Sequence, residues 1–410
     1  MALFNAYSQS FDRQSTAPQS SKALPPAYRY GTHRLIPPEQ TLAQLTPYLS
    51  EFGITRLAEV TRLDVDLGVP TYCAIRPAGL VLQTSNGKGL TPASAKVSAL
   101  MEAIELHHAE HPEPKRLVRS SLKILSENGL KVIRPEDLER HPPHFFSDDF
   151  MIDWVEAEEL ISQQKVWLPA SAAYFCEQSL LRTSTNGLAS GNHLVEATLH
   201  ALYELIERDA ISRVEVNGRL KIKETCKIID LTTITNQTLQ QVIQKIQTAQ
   251  SKLLLLWTPS CVPVHTFWAV LLNQMAFSAV STFNMGYGTH FDIHVAAARA
   301  ITEAVQSRLT LIHGAREDII RKPVYKAEET ESSRAYRYFD QLESNTPWQA
   351  IETLPKYKNN DLWHSYDYLR SQLRQAGHYP IFRVDLTHSK FNIPVVKVII
   401  PSLRFKRDLF

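Results

Sequence analysis

One short helical phrase is written three times in this chain. Ala99-Leu100-Met101-Glu102-Ala103-Ile104-Glu105 returns as Ala201-Leu202-Tyr203-Glu204-Leu205-Ile206-Glu207. It returns again, with one amide, as Ala300-Ile301-Thr302-Glu303-Ala304-Val305-Gln306. Each copy follows, by a similar distance, a segment that reads as a turn: Asn86-Gly87, Asn186-Gly187 and Asn284-Met285-Gly286. Two carboxylates three residues apart on one helix face repel each other, at roughly a few tenths of a kcal/mol per pair. A chain that repeats this cost is expected to offset it with a cation or with a ligand that carries one.

Helical geometry sharpens the pattern. At about 100° per residue, Glu196, His200, Glu204 and Glu207 share one sector of the second helix, with Arg208 beside it. Val195, Leu199, Leu202, Leu205 and Ile206 take the opposite sector. Ser98, Glu102 and Glu105 align on the first helix, and Arg299, Glu303, Gln306 and Thr310 on the third. A solvated helix face normally mixes Glu with Lys at i+4 spacing, yet no Lys lies on these stripes. Asp209 falls in the apolar sector and is expected to be a buried partner for a backbone amide or an Arg. The single histidines His107, His108, His200 and His313 are expected to be structural.

Composition narrows the partners. A net charge of +2 over 410 residues gives no global field for nucleic acid or an acidic membrane. The most apolar stretch, Leu253 to Leu272, is broken by Pro259, Pro263 and His265, so it reads as buried strands and not as a membrane span. Cys73, Cys176, Cys226 and Cys261 lie far apart, with no Cys-x-x-Cys pair. That argues against a zinc knuckle or a disulfide framework and points to a reducing, cytoplasmic location. The Ser/Gln/Pro-rich residues through about Pro26 read as a mobile tail.

Elements follow from pattern. A helix enters at Pro37-Pro38, capped by Thr41 or an earlier residue. Tyr72 to Ile75 and Leu80 to Gln83 read as strands around Pro77-Ala78-Gly79. Residues 112–150 are variable in pattern. Val166 to Leu168 and Ala173 to Phe175 read as strands, Leu239 to Ile246 as a helix followed by a strand pair, and 320–362 as a long loop or lid. Tyr366 to Gln375 reads as a helix, and Ile381 to Asp385 and Val395 to Ile400 as buried strands. The alternation is too irregular for a doubly wound sheet.

Converging carboxylates restrict the chemistry. Zinc prefers His and Cys. Magnesium prefers oxygen and commonly bridges a few carboxylates to ligand phosphates. A nucleoside triphosphate held through two or more magnesium ions fits the pattern. No Gly-x-x-x-x-Gly-Lys-Ser/Thr loop and no protein-kinase signature is present. The Gly-rich turns offer backbone N–H groups to phosphate, and Arg34, Lys88, Arg208 and Arg299 are candidate charge partners.

At these residues the chain resembles the YcaO family. The matching stretches are Ser85-Asn86-Gly87-Lys88-Gly89 with Ser98, Glu102 and Glu105, and Asn186-Gly187-Leu188-Ala189-Ser190-Gly191-Asn192 leading to Glu204, Glu207, Arg208, Asp209 and Ala210. Arg299-Ala300 with Glu303, Gln306, Ser307 and Arg308 follows, then Gly314-Ala315-Arg316-Glu317-Asp318. Asp385-Leu386-Thr387 and Ile393-Pro394-Val395-Val396 complete the likeness, which covers about 30 to 405. Where family members often carry Arg after the second Glu of the first motif, Leu106 stands here.

The resemblance implies an α+β fold of mixed sheets flanked by helices, with three related helix-bearing blocks converging on one nucleotide site. It implies a tail over 1–27 and a catalytic domain over 28–410, divided into a first lobe (28–110), a variable insertion (111–165) and a main ATP-binding lobe (166–410). Glu102, Glu105, Glu196, Glu204 and Glu207 would hold magnesium. Arg34, Thr41, Asn192 and Arg208 would contact the nucleotide, and Lys88, Ser98, Arg299, Glu303 and Gln306 would complete its site. The implied reaction is phosphorylation of a peptide-amide oxygen by ATP, with Glu204, Glu207 and Arg208 at its centre. Attack by a sulfur nucleophile gives a thioamide; attack by a neighbouring Cys, Ser or Thr gives an azoline. Azoline-forming members end in a Pro-rich segment, whereas this chain ends Arg404-Phe405-Lys406-Arg407-Asp408-Leu409-Phe410. That favours the branch paired with a TfuA-like partner. The expected partners are a peptide or protein substrate, a TfuA-like or leader-binding E1-like protein, and a second copy in a homodimer. An ATP-binding accessory role in ribosomal-protein methylthiolation is the non-enzymatic alternative.

Overall fold

In the computed structural model, the structure describes residues 30–406 apart from 65–66, 139–145, 176–179, 182, 217–218, 274–282, 317–330 and 354–360. The tail over 1–27, Cys176, Glu317, Asp318 and residues 407–410 lie outside the described residues, as does part of the 320–362 stretch. The chain runs α1 (Pro38–Leu45), β1 (Arg56–Glu59), β2 (Thr71–Ile75), β3 (Thr84–Lys88), α2 (Pro92–Glu110), β4 (Leu117–Ser120), α3 (Leu122–Glu127), β5 (Ile152–Glu159), β6 (Gln164–Pro169) and β7 (Leu188–Ser190). It continues through α4 (Leu194–Val214), β8 (Glu215–Val216), β9 (Arg219–Leu220), α5 (Ile222–Thr225), β10 (Lys227–Asp230), α6 (Gln237–Thr248), β11 (Ser251–Thr258), β12 (His265–Asn273), β13 (Phe283–His290) and α7 (Ile293–His313). It closes with α8 (Glu331–Asp340), β14 (Thr346–Pro347), α9 (Trp348–Glu352), α10 (Leu362–Gln375), β15 (Phe382–Asp385) and β16 (Val395–Ile399).

The strands form a three-stranded sheet β1-β2-β3, a five-stranded sheet β13-β12-β11-β10-β14, and a six-stranded sheet β4-β5-β15-β16-β7 in which β6 also pairs with β5. A small hairpin joins β8 to β9. Pairing in the three main sheets is antiparallel except between β10 and β14. This mixed α+β arrangement matches the expected fold class. Every residue of β12 is buried, as the apolar run through Leu272 requires. The 111–165 segment supplies β4 and β5 to the same sheet as β15, β16 and β7.

The threefold phrase is a threefold strand–helix unit: β3 leads into α2, β7 into α4 and β13 into α7. Ala99, Ala201 and Ala300, which open the three copies, are all fully buried. Each helix starts on a different cap. The Thr91 hydroxyl accepts from Ser94 N, His193 Nδ1 from Val195 N, and Asp292 Oδ1 from His294 N and Val295 N.

Two of the three expected turns are strand. Asn86-Gly87 lies in β3 and Asn284 to Gly286 in β13; only Asn186-Gly187 is a turn, with φ of +78° at Gly187. The glycines serve close packing here. A Cβ at Gly87 would overlap Ala99 N and Ala95 O on α2, and one at Gly288 would overlap Ala296 O on α7. Gly87→Ala is therefore expected to push β3 off α2 and destabilise the protein by about 3 kcal/mol, read as a lowered melting temperature.

Other differences have similar local causes. The strand pairing with β2 is β3, not Leu80 to Gln83, where Leu80 is exposed. Ala173 to Phe175 is not a strand; it continues out of a 3-10 turn over Ala170–Ala172 that has Ala173 at its C-cap. Pro37 occupies the N-cap position of α1, while Thr41 is buried and donates to Asn192 Oδ1 at 2.9 Å. The described part of 320–362 holds α8, β14 and α9, and Trp348 anchors it in the core. Asp209 is fully buried, accepting from Arg213 Nε at 2.6 Å and Arg404 N at 2.8 Å. Among the described residues no helix is long and apolar enough to cross a membrane.

Candidate active site

The polar faces of α2, α4 and α7 converge on one cavity of about 950 Å³. Glu102, Glu105 and Ser98 reach it from α2, and Glu196, Glu204, Glu207 and Arg208 from α4. Arg299, Glu303 and Gln306 reach it from α7. Arg34 and Thr41 close it from the N-terminal side, with Lys88 on β3 and Asn192 before α4. Every site residue anticipated from sequence thus faces the same hollow. Sequence reasoning missed Asn86, Tyr287, Arg316 and Phe405 as wall residues, and it gave His200 only a structural role.

Charge pairing divides the carboxylates into two groups. Lys88 Nζ sits 2.8 Å from Glu303, Arg208 Nε 3.0 Å from Glu204, and Arg34 Nη1 3.3 Å from Glu196. Glu196 is also heavily bonded: Leu35 N donates to Oε2 at 2.7 Å, and Asn192 donates to Oε1 through both its backbone and side-chain nitrogens at 3.1 Å. One oxygen, Oε2, thus retains room for a further partner. Glu102, Glu105 and Glu207 have no cation within 4.0 Å among the described residues. Glu105 accepts from the Ser190 hydroxyl at 2.6 Å.

Protonation follows that division. Burial pushes Glu102 up to about 7, even against the pull of Arg316 and Lys88. Burial pushes Glu105 up to about 8, with the charges on Glu102 and Glu204 adding to it and the Ser190 hydroxyl opposing. Burial and the charge on Glu303 push Glu207 up to about 8, against Arg299 and Arg208. Burial acts on Glu303 too, but Lys88, Arg299 and Arg208 together outweigh it and hold that carboxyl below its ordinary value. His200 is driven well below its ordinary value by burial and by Arg34, Arg299 and Lys88, so its ring is neutral.

The wall residues that sequence missed come from distant parts of the chain. Phe405 lies under the Arg208 guanidinium at 5.4 Å. The segment carrying it is tied along α4 by Arg404 N to Asp209 and by Lys406 N to the Ser212 hydroxyl at 3.0 Å. No periodicity marks such a contact; it exists only once the chain end is laid beside α4.

Comparison with known proteins decides the family. The profile described as YcaO cyclodehydratase, ATP- and Mg2+-binding, matches residues 86–404. The chain belongs to the YcaO family. An uncharacterized protein of Methanothermobacter thermautotrophicus is 32% identical over 383 residues, spanning 89% of this chain and 94% of its own. A Rhizobium leguminosarum bv. trifolii protein described as lying in the tfuA 3' region is 30% identical over 379 residues, spanning 90% of this chain and 88% of its own. The YcaO structure from Methanopyrus kandleri, bound with AMPPCP and Mg2+, superposes with a TM-score of 0.73 at 23% identity, covering 92% of this chain and 93% of that one. A heterocyclase in complex with substrate and cofactor superposes with a TM-score of 0.73 at 22% identity, covering 93% of this chain and 55% of that one. Both superpositions establish the YcaO fold here.

The donor set suits magnesium. It is all oxygen, and three of its carboxylates have no cation within 4.0 Å among the described residues and are pushed toward their protonated form. Among the described residues no three His, Cys, Asp or Glu side chains stand together as a ready-made metal site. Magnesium takes one or two carboxylates per ion and completes its shell with water and phosphate oxygens.

Proposed function

We propose that this cavity binds ATP with magnesium, in two or more ions, and uses it to phosphorylate the oxygen of a peptide backbone amide. A sulfur nucleophile then adds at the carbonyl carbon and phosphate leaves, giving a thioamide in a ribosomally made peptide or a protein. The observation that carries this reading is the meeting of six carboxylates from three helices around one hollow, three of them without a balancing cation. The family description, ATP- and Mg2+-binding, supports the same ligand.

Magnesium bound there would neutralise phosphate oxygens and tie them to the carboxylates. Glu102, Glu105, Glu204 and Glu207 would hold it, with Glu196 contributing its less engaged oxygen. Arg34, Lys88, Arg208 and Arg299 would meet the remaining phosphate charge, and Asn192, Thr41 and Ser98 would orient the nucleotide by hydrogen bonds. The protein's share of the chemistry is positioning and charge neutralisation. An amide oxygen is a very poor leaving group, and phosphorylation converts it into a good one.

One observation favours the thioamide product: the relative described as lying in the tfuA 3' region. The family description as a cyclodehydratase favours the azoline. A TfuA-like or leader-binding partner would deliver the peptide, and the chain would act as a homodimer. Incubating the protein with ATP, magnesium, the partner encoded beside it and the candidate peptide distinguishes the products by mass. With sodium sulfide added as the sulfur nucleophile, exchange of oxygen for sulfur is the expected result. Loss of water identifies the azoline, and an unchanged peptide with intact ATP overturns amide activation.

A further inference from the structure

The three helices do not offer the cavity equal chemistry. Where α2 and α4 carry Glu105 and Glu207, α7 carries Gln306, a neutral amide. Gln306 Nε2 donates to the main-chain oxygen of Asn86 at 2.9 Å. That bond uses one of the two hydrogens on its nitrogen and fixes Oε1, which is buried and without a hydrogen-bond partner among the described residues. The side chain of Asn86 is in the same condition. The residue is 3% exposed, it lines the cavity, and neither its Oδ1 nor its Nδ2 has a partner among the described residues. Buried amides are normally satisfied, and each one left open is destabilising. Two side by side on one wall describe a polar subsite that a ligand completes.

We infer that Asn86 and Gln306 form the subsite that receives the N–H of the peptide amide undergoing activation. This inference rests on the activity proposed above. The bond to Asn86 O orients the Gln306 amide so that Oε1 is its open acceptor. Asn86 presents one donor and one acceptor whichever way its amide is turned. The pair is neutral where the other two copies carry charge, so it matches a neutral N–H donor and not a cation. An adenine amino group carries the same donor chemistry, but the neighbourhood disfavours a base. Glu102 is bonded to the Asn86 backbone, and the Lys88–Glu303 pair stands on the same strand and helix. These are groups for phosphate and cation, the reacting end of a triphosphate.

The subsite also acts on the chemistry. As the amide oxygen attacks the terminal phosphorus, a C–O–P linkage forms and the bond from phosphorus to the ADP oxygen breaks, its electron pair leaving with ADP. Electron density is drawn from the amide nitrogen and its N–H becomes more acidic. The proton stays on nitrogen, and the hydrogen bond to Gln306 Oε1 strengthens as the charge develops.

Saturation-transfer NMR on the protein saturated with Mg–AMPPNP tests this with two probes. N-methylacetamide has the N–H; N,N-dimethylacetamide does not. The expected result is transfer to N-methylacetamide at least fivefold above that to the dimethyl compound. Asn86→Ala and Asn86→Ser should lose that difference, keep Mg–AMPPNP affinity within about twofold, and melt no lower than the wild type because the native side chain has no protein partner. Equal response to both probes, or none to either, overturns the inference, as does a variant that still discriminates. A tenfold loss of nucleotide affinity in Asn86→Ala assigns the wall to the nucleotide and overturns it too. A protein that discriminates the amides but never alters a peptide's mass keeps the subsite and loses the activation reading. One that alters the mass but treats the amides alike loses the subsite alone.

Discussion

Glu207→Ala is expected to weaken Mg–AMPPNP binding by at least about 100-fold, roughly 2.7 kcal/mol, with no loss of fold. The reasoning starts from charge. Glu207 is 6% exposed and has no cation within 4.0 Å among the described residues, and burial with the Glu303 charge pushes its carboxyl up to about 8. In the free protein such a group is a standing cost, so truncating it relieves repulsion and leaves the melting temperature level or higher. In the complex the same carboxylate faces cation and phosphate, and its loss falls wholly on binding. Glu204→Ala is expected to lose comparable affinity by a different route. It removes a carboxylate and also frees Arg208 from its 3.0 Å contact, so the guanidinium loses the ion pair that positions it over Phe405. Glu127→Ala, at an exposed position of α3, serves as the control and should bind normally. Calorimetric titration with Mg–AMPPNP reads all three. Undiminished affinity in both site variants would sink the assignment.

The acidic helices were legible because a polar stripe at helical spacing survives folding unchanged. Glu196, His200, Glu204 and Glu207 share a face on paper, and they share a wall of the cavity. The convergence of the three helices was legible only through the repeat, since nothing local in Ala99 to Glu105 specifies where Ala300 to Gln306 will lie. The glycine segments misled for a physical reason. Gly87 and Gly286 carry the composition of a turn, yet they stand in strands because a helix presses on them too closely for a Cβ. The cations were illegible as partners: Lys88 meets Glu303 across 215 positions and Arg34 meets Glu196 across 162. The apparent lack of balancing bases on the stripes was therefore half correct. Two carboxylates, Glu303 and Glu196, find a cation from elsewhere in the chain, Glu204 pairs with Arg208 on its own helix, and three find none within 4.0 Å among the described residues.

Those three set a pH dependence with a definite sign. Glu102 titrates near 7, and Glu105 and Glu207 near 8, against an ordinary value of 4.5. Their folded values lie above their unfolded ones, so between about pH 4.5 and 8 the folded protein holds protons that the unfolded chain has released. Stability contributed by these groups is present at low pH, declines as pH rises through that window, and levels off above about 8. Ligand binding reverses the preference, because only the ionised carboxylates attract a metal-bound triphosphate. Affinity for Mg–AMPPNP is expected to increase from pH 6 to pH 8, with on the order of two protons released per nucleotide at pH 7. His200, already neutral, takes no part across this range. Titrations in Pipes and in Tris, whose ionisation enthalpies differ, read the proton count directly from the difference in heat. Identical heats in the two buffers would mean that the carboxylates are ionised before the nucleotide arrives, and that the repulsion among them is being relieved by something other than bound protons.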